Sequence, residues 1–160
     1  MQARMKQYPL SEAHIHRLLE TALVGRLATV GDDGYPYVTP VHFVFLQGKI
    51  YIHGLAVGEK LRNIAANPRV GFEVEKMISL IHDAENPCDT NTEYESVIIR
   101  GSAALQDDPA VKTTVLDAVV RKYTPQHAGK PYPPNMLKMT GVIELVIQSC
   151  TGKYYPRTEG

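Results

Sequence analysis

The sequence predicts a mainly-β protein with helices, a small barrel of six short antiparallel strands. Three observations carry that expectation. Polar and apolar residues alternate over several short runs, the runs are joined by hairpin-type turns such as Gly31-Asp32-Asp33-Gly34 and Leu46-Gln47-Gly48, and other stretches switch to a helical period. Short hairpin-linked strands favour closure, because a closed sheet has no edges left to protect. A chain of 160 residues is the length of one domain, taken as residues 1–160, and is long enough for a core without disulfide staples.

Ser11 is a good N-cap, and Ile15, Leu18, Leu19 and Ala22 follow at helical spacing, so residues 11–23 read as a helix ending before Gly25. His14 and His16 lie at the margins of that face and read as solvated. Arg26 to Val30 is a strand, and the Asp-Gly turn after it favours the positive φ of a hairpin. A second strand is expected from Tyr37 to Phe45 and a third from Lys49 to His53, which makes residues 25–54 a three-strand meander. After Gly58 the period changes: Leu61, Ile64 and Ala65 share a helical face, and Asn67-Pro68 stops the helix.

Val70 to Glu75 returns to strict alternation as the fourth strand. Residues 77–93, with scattered Asn, Asp and Thr and with Pro87, read as a long connection of the kind that is often functional. Tyr94 to Leu105 is the fifth strand, and Gly101 within it marks a bulge or a close backbone approach. Asp108 caps a helix that opens on Pro109, buries Val111, Val115, Ala118 and Val119, and ends near Tyr123. The four prolines of residues 124–135 indicate a surface loop. Thr140 to Gln148 completes the six strands.

Composition narrows the function. The 17 basic and 17 acidic side chains balance, without basic or acidic tracts, which argues against a nucleic-acid partner. Apolar runs are short and interrupted, so neither a membrane span nor a signal peptide is expected. Cys88 and Cys150 form neither a disulfide framework nor a C-x-x-C metal site, which favours a reducing, cytoplasmic setting. No metal site is expected: His82 and Cys88 could supply half of a metal or haem site, but further ligands are missing.

The stretch with the most chemistry is Lys49 to Lys60, KIYIHGLAVGEK. A strand ends on His53, and Gly54 and Gly58 flank a small-residue loop that opens a helix with Lys60 in its first turn. Exposed backbone N–H groups, a helix N-terminus and a lysine together make an anion site. The same pattern also suits a plain turn before a short helix. Thr39 to Phe43 on one strand and Tyr51 to His53 on its neighbour would form a wall for a flat ring.

Several motifs then converge. Gly-Arg-Leu-Ala-Thr-Val (25–30), Gly-Tyr-Pro-Tyr-Val-Thr-Pro-Val (34–41), Gly-Lys-Ile-Tyr-Ile-His (48–53), Gly-Glu-Lys-Leu (58–61) and Asn-Pro-Arg-Val (67–70) resemble, in order and spacing, the flavin-binding split barrels of the pyridoxamine-phosphate-oxidase-like superfamily. Tyr-Glu-Ser-Val-Ile-Ile-Arg-Gly-Ser-Ala (94–103) is similar to its nitroimidazole-reductase branch. The resemblance implies a homodimeric split barrel that binds FMN at the subunit interface and reduces small nitroaromatic or related acceptors at the expense of an electron donor.

By position, the resemblance implies that Val41, His42 and Phe43 meet the flavin ring and that His53 and Gly54 lie beside the ring and ribityl chain. It implies Lys60 on the phosphate, with Leu61 packed nearby, and His53 in the catalytic role. Tyr94, Ser96 and Arg100 would cross the dimer interface toward the partner's flavin. Two departures matter. Glu59 stands where the oxidases place an arginine, so that either Arg26, Arg62 or a partner residue compensates, or FMN binds more weakly than in the oxidases. The segment Gly152 to Pro156 lacks the tryptophan and arginine with which the oxidases close on the vitamin phosphate. Two other readings stay open: a haem-binding or haem-degrading split barrel, and a non-catalytic flavin-binding redox sensor.

Overall fold

Ser11 caps the first helix as its residue type requires, its hydroxyl accepting the N–H of His14 at 3.3 Å. The computed structural model describes residues 7–83 and 85–156. Helix α1 (Glu12–Thr21) leads into strands β1 (Gly25–Val30), β2 (Pro36–Val41), β3 (Phe43–Leu46) and β4 (Lys49–Leu55). Helix α2 (Glu59–Ala66), the long strands β5 (Arg69–Ile81) and β6 (Asn91–Gln106), helix α3 (Pro109–Tyr123), the short helix α4 (Pro134–Met139) and strand β7 (Thr140–Tyr155) follow.

One antiparallel sheet has the order β2-β1-β5-β6-β7-β4-β3. It has seven strands, not the six expected, because the segment read as one strand from Tyr37 to Phe45 is broken at His42. Before the break it pairs with β1, ending at Val41 opposite Gly25; after it, it pairs with β4, starting at Phe43 opposite Ile52. A single extended segment therefore forms both outer strands of the sheet. The barrel is closed by chain continuity where ladder hydrogen bonds are absent, which makes it a split barrel.

Inside it, Phe43, Phe72, Leu27, Ile50, Ile52 and Leu145 form the main core, and the rings of Phe43 and Phe72 meet edge to face at 5.0 Å. A second cluster lies outside, where α3 lays Val115, Ala118 and Val119 over Val44, Tyr51 and Val142. Alternation assigns the faces: residues 50 and 52 of β4 point into the barrel, and residue 51 points toward α3.

Two elements differ from the sequence reading. Residues 77–93 are strand at both ends, since β5 continues to Ile81 with a register shift between Met77 and Ser79, and β6 begins at Asn91, leaving only 82–90 as the connection. This two-stranded arm exposes Met77, Ile78 and Leu80. With no core against either face, it lacks the alternation that marks a buried strand. Secondly, α4 begins on Pro134, a residue that breaks a helix interior but suits a first turn. Gly101 sits at a register shift, and a Cβ there would lie 2.3 Å from the Val146 carbonyl oxygen, so the bulge and the close approach coincide. Among the described residues, no helix is long and apolar enough to cross a membrane.

Candidate active site

β4 outruns its neighbour. Its ladder with β3 ends at Ile52 opposite Phe43, while His53, Gly54 and Leu55 go on pairing with Val142, Gly141 and Thr140 of β7. These three residues thus border the split. His53 follows Tyr51 onto the face under α3, and His42 occupies the break in the adjoining segment. The His53 ring is half-buried, and its Nδ1 is buried without a hydrogen-bond partner. Burial, and secondarily the nearby His42 imidazole, hold its pKa below the usual histidine value. His53 is therefore uncharged at neutral pH. His42 is exposed and stacks on Tyr123, centroids 4.5 Å apart and planes 23° apart.

The loop beyond His53 is held from one side. Gly54 pairs with Gly141, and a Cβ on Gly141 would come within 2.9 Å of the Ala56 Cα. The Ala56 N–H donates to the Met139 carbonyl at 3.4 Å. A Cβ on Gly54, by contrast, would meet no protein atom within 4 Å, and its φ lies outside the glycine-favouring region. Gly58, at φ 135°, is the N-cap of α2 without a side-chain capping bond, and its carbonyl accepts the N–H groups of Leu61 and Arg62. The amides ahead of Leu61 have no carbonyl within the helix to bind.

Lys60 is half-buried and makes no ion pair among the described residues. Leu61 packs on the barrel core, and Asn63 fixes the helix to β1 by donating to the Thr29 hydroxyl at 3.1 Å between two buried side chains. Glu59 is exposed. Arg26 is bonded to Glu73 and Glu75 at 3.0 and 3.1 Å, so it is not free to offset Glu59; Arg62 remains, exposed on α2.

The end of β4, the loop after it and the start of α2 carry His53, Gly54, Lys60 and Leu61 in succession, with His42 at the adjoining break, while the Phe43 side chain turns the other way. That side chain is fully buried inside the barrel, its N–H is taken by the Tyr123 hydroxyl at 3.0 Å, and its carbonyl receives the Lys122 amine at 3.1 Å. Phe43 therefore turns its side chain into the barrel core and has its backbone groups held by α3. Val41 is half-buried and packs mainly toward the core.

Tyr94, Ser96 and Arg100 are not brought to the site within one chain. His53 shares a row with Val142 and Gln106. At a rise of about 3.3 Å per residue, Arg100 lies about 20 Å along β6 from that row, and Tyr94 about 40 Å. Ser96 is buried, Tyr94 half-buried and Arg100 exposed. Among the described residues, concavities of roughly 300, 330, 400 and 380 Å³ occur, and none of these is lined by His53 or Lys60. Sequence reasoning missed Tyr123 and Lys122, whose contacts with Phe43 span about eighty positions and leave no local pattern.

The geometry suits a flat ring with an anionic tail. Space stands over Gly54, an imidazole nitrogen lacks a partner, and a lysine without a carboxylate stands at an uncapped helix start. A barrel closed by one kinked segment, with that loop at its split, defines the class as a split barrel. The chain belongs to the pyridoxamine 5'-phosphate oxidase family, whose sequence model matches residues 11–154.

Among characterised relatives, 5a,11a-dehydrotetracycline/5a,11a-dehydrooxytetracycline reductase of Streptomyces rimosus is 39% identical over 83 residues. That match spans 49% of this chain and 52% of the relative, so the chain covers about half that protein's length. The fold is shared with a candidate 5-nitroimidazole antibiotic resistance protein from Bacteroides thetaiotaomicron, at 22% identity and TM-score 0.80, over 91% of this chain and 86% of that one. It is shared too with the flavocytochrome Anf3 from Azotobacter vinelandii, at 21% identity and TM-score 0.83, over 97% of this chain and 72% of that one.

Proposed function

We propose that this protein is an FMN-dependent reductase of small planar acceptors, nitroimidazole-like compounds among them, working as a cytoplasmic homodimer. The observation that carries the reading is the pair His53–Gly54: an unpartnered imidazole nitrogen beside a glycine that the protein's own packing does not require. FMN, when bound, supplies the hydride chemistry and passes electrons from a small donor to the acceptor.

The chain's residues bind, orient and handle protons. Lys60 and the free amides of the α2 start bind the phosphate. Gly54 allows the flat group to approach the backbone, and His53, uncharged at neutral pH, offers one N–H and one lone pair beside it. An acceptor that gains a hydride also needs a proton, and uncharged His53 can relay one from water, one ring nitrogen giving up its proton as the other takes one on. The positions of Tyr94, Ser96 and Arg100, far from their own chain's site, support a role toward a second copy, as do the exposed apolar residues of the β5–β6 arm.

The absorbance spectrum of the purified protein, followed by titration with FMN, tests this. A band at about 450 nm and saturable binding are expected for a flavin enzyme. A Soret band would replace flavin by haem, and a yellow protein inert to every donor and acceptor tried would leave a redox sensor.

A further inference from the structure

We infer that Tyr123 is a positioning residue for the His42–His53 pair, the end of α3 holding the chain at the point where one strand hands over to the other. The inference rests on the proposed site for its functional meaning. His42 lies between the two ladders: β2 ends its pairing at Val41, and β3 begins at Phe43. A break of this kind frees backbone groups that must find other partners.

Tyr123 supplies them. Its hydroxyl accepts the Phe43 N–H at 3.0 Å and shares its proton between the carbonyl oxygens of Phe43 at 2.9 Å and Leu23 at 2.8 Å. Its ring stacks on His42, the residue just before Phe43. Lys122 completes the clamp: its amine donates to the carbonyls of Phe43 at 3.1 Å and Leu19 at 3.4 Å and stands 4.0 Å over the Phe43 ring. One helix end thus holds the exit of α1, the backbone at the break and the His42 ring.

His42 in turn bears on His53: the β3–β4 ladder ends with Phe43 opposite Ile52, which sets His42 and His53 side by side just past that end, and the His42 imidazole adds to the lowering of the His53 pKa by burial. The other charges nearby are committed elsewhere. Lys122 bonds carbonyls, and Glu144, two residues from His53's partner Val142, is held by Tyr51 at 2.8 Å and Lys49 at 3.1 Å. Tyr123 therefore acts on His53 through His42, and its removal lets the His42 ring leave its place.

The test compares full-length wild type, Y123F, Y123L, H42A and H42A/Y123L by NMR titration of the histidine rings, with FMN titration and urea unfolding in parallel. Y123L is expected to raise the His53 midpoint toward the ordinary histidine value and to weaken FMN binding several-fold. Both effects should disappear in the H42A background, and Y123F, which keeps the ring, should show a smaller shift. Equal effects of Y123L with and without His42, or an unmoved His53 midpoint, would overturn the inference. Should Y123L not fold, Y123F decides on the same criterion. A wild type that binds no FMN ends the reductase reading, while the histidine titrations still judge the clamp.

Discussion

Gly54 and Gly141 face each other across β4 and β7, yet the protein's own packing requires glycine only at Gly141. The contrast separates fold from site. A Cβ at 141 collides with the Ala56 backbone, which cannot yield without moving the loop. Gly141→Ala should therefore cost about 1–3 kcal/mol in urea unfolding. Gly54→Ala has room and should leave stability unchanged or slightly raised, because alanine restricts the unfolded chain. Its FMN affinity should nevertheless fall, and wild-type affinity would remove Gly54 from the cradle.

Lys60 carries a charge that no described ion pair uses. Lys60→Ala should weaken FMN by about 1–3 kcal/mol, the worth of a charge-assisted hydrogen bond. The urea midpoint should not move. Fluorescence titration reads the first and denaturation the second, and unchanged affinity would take Lys60 off the phosphate.

His53→Ala should keep flavin and slow the reduction of nitro acceptors. A stability signature accompanies it. In the fold the His53 pKa is lowered from 6.5, so the unfolded chain binds more protons between the lowered value and 6.5. Stability contributed by this residue therefore rises with pH through that window and is lost on acidification. Urea midpoints measured from about pH 5 to about pH 7 should climb more steeply in wild type than in His53→Ala.

Lys122 makes the complementary prediction on the alkaline side. Burial lowers its pKa from 10.5 to about 8. Between those values the unfolded chain holds more protons, so stability rises with pH across the window. Wild type should gain on Lys122→Met as pH climbs from about 8 toward 9.5. The comparison should stop short of tyrosine titration: burial and Glu144 raise Tyr51 to about 12, so its contribution falls as pH passes the ordinary value of 10. A difference that stays flat with pH would mean that the amine is fully solvated.

Local signals carried much of this fold. Ser11 and Asp108 cap helices through their own side chains, and Gly58 and Asn67 mark helix ends that neighbours in sequence determine. The strand end, loop and helix start at 53–60 were legible for the same reason. What escaped depends on distant partners. The break at His42 exists because two different strands claim the two halves of one segment, and nothing in Thr39 to Phe45 marks the boundary. That the Phe43 side chain turns inward was not legible either, because alternation does not say which face is inside. The β5–β6 arm was hidden because a strand standing off the core has no buried stripe to reveal it.

The hand-over at residues 41–43 is also the barrel's seam. Cutting the chain there, while joining the segments at Tyr8 and Tyr155 with a linker, would leave every rung of every ladder intact, and Tyr8 and Tyr154 already touch through a backbone hydrogen bond of 3.0 Å. Such a circular permutant would keep its full set of strand pairings and lose only the ring. It would show whether this molecule's cohesion lies in its sheet or in a single covalent link that turns a ribbon into a vessel.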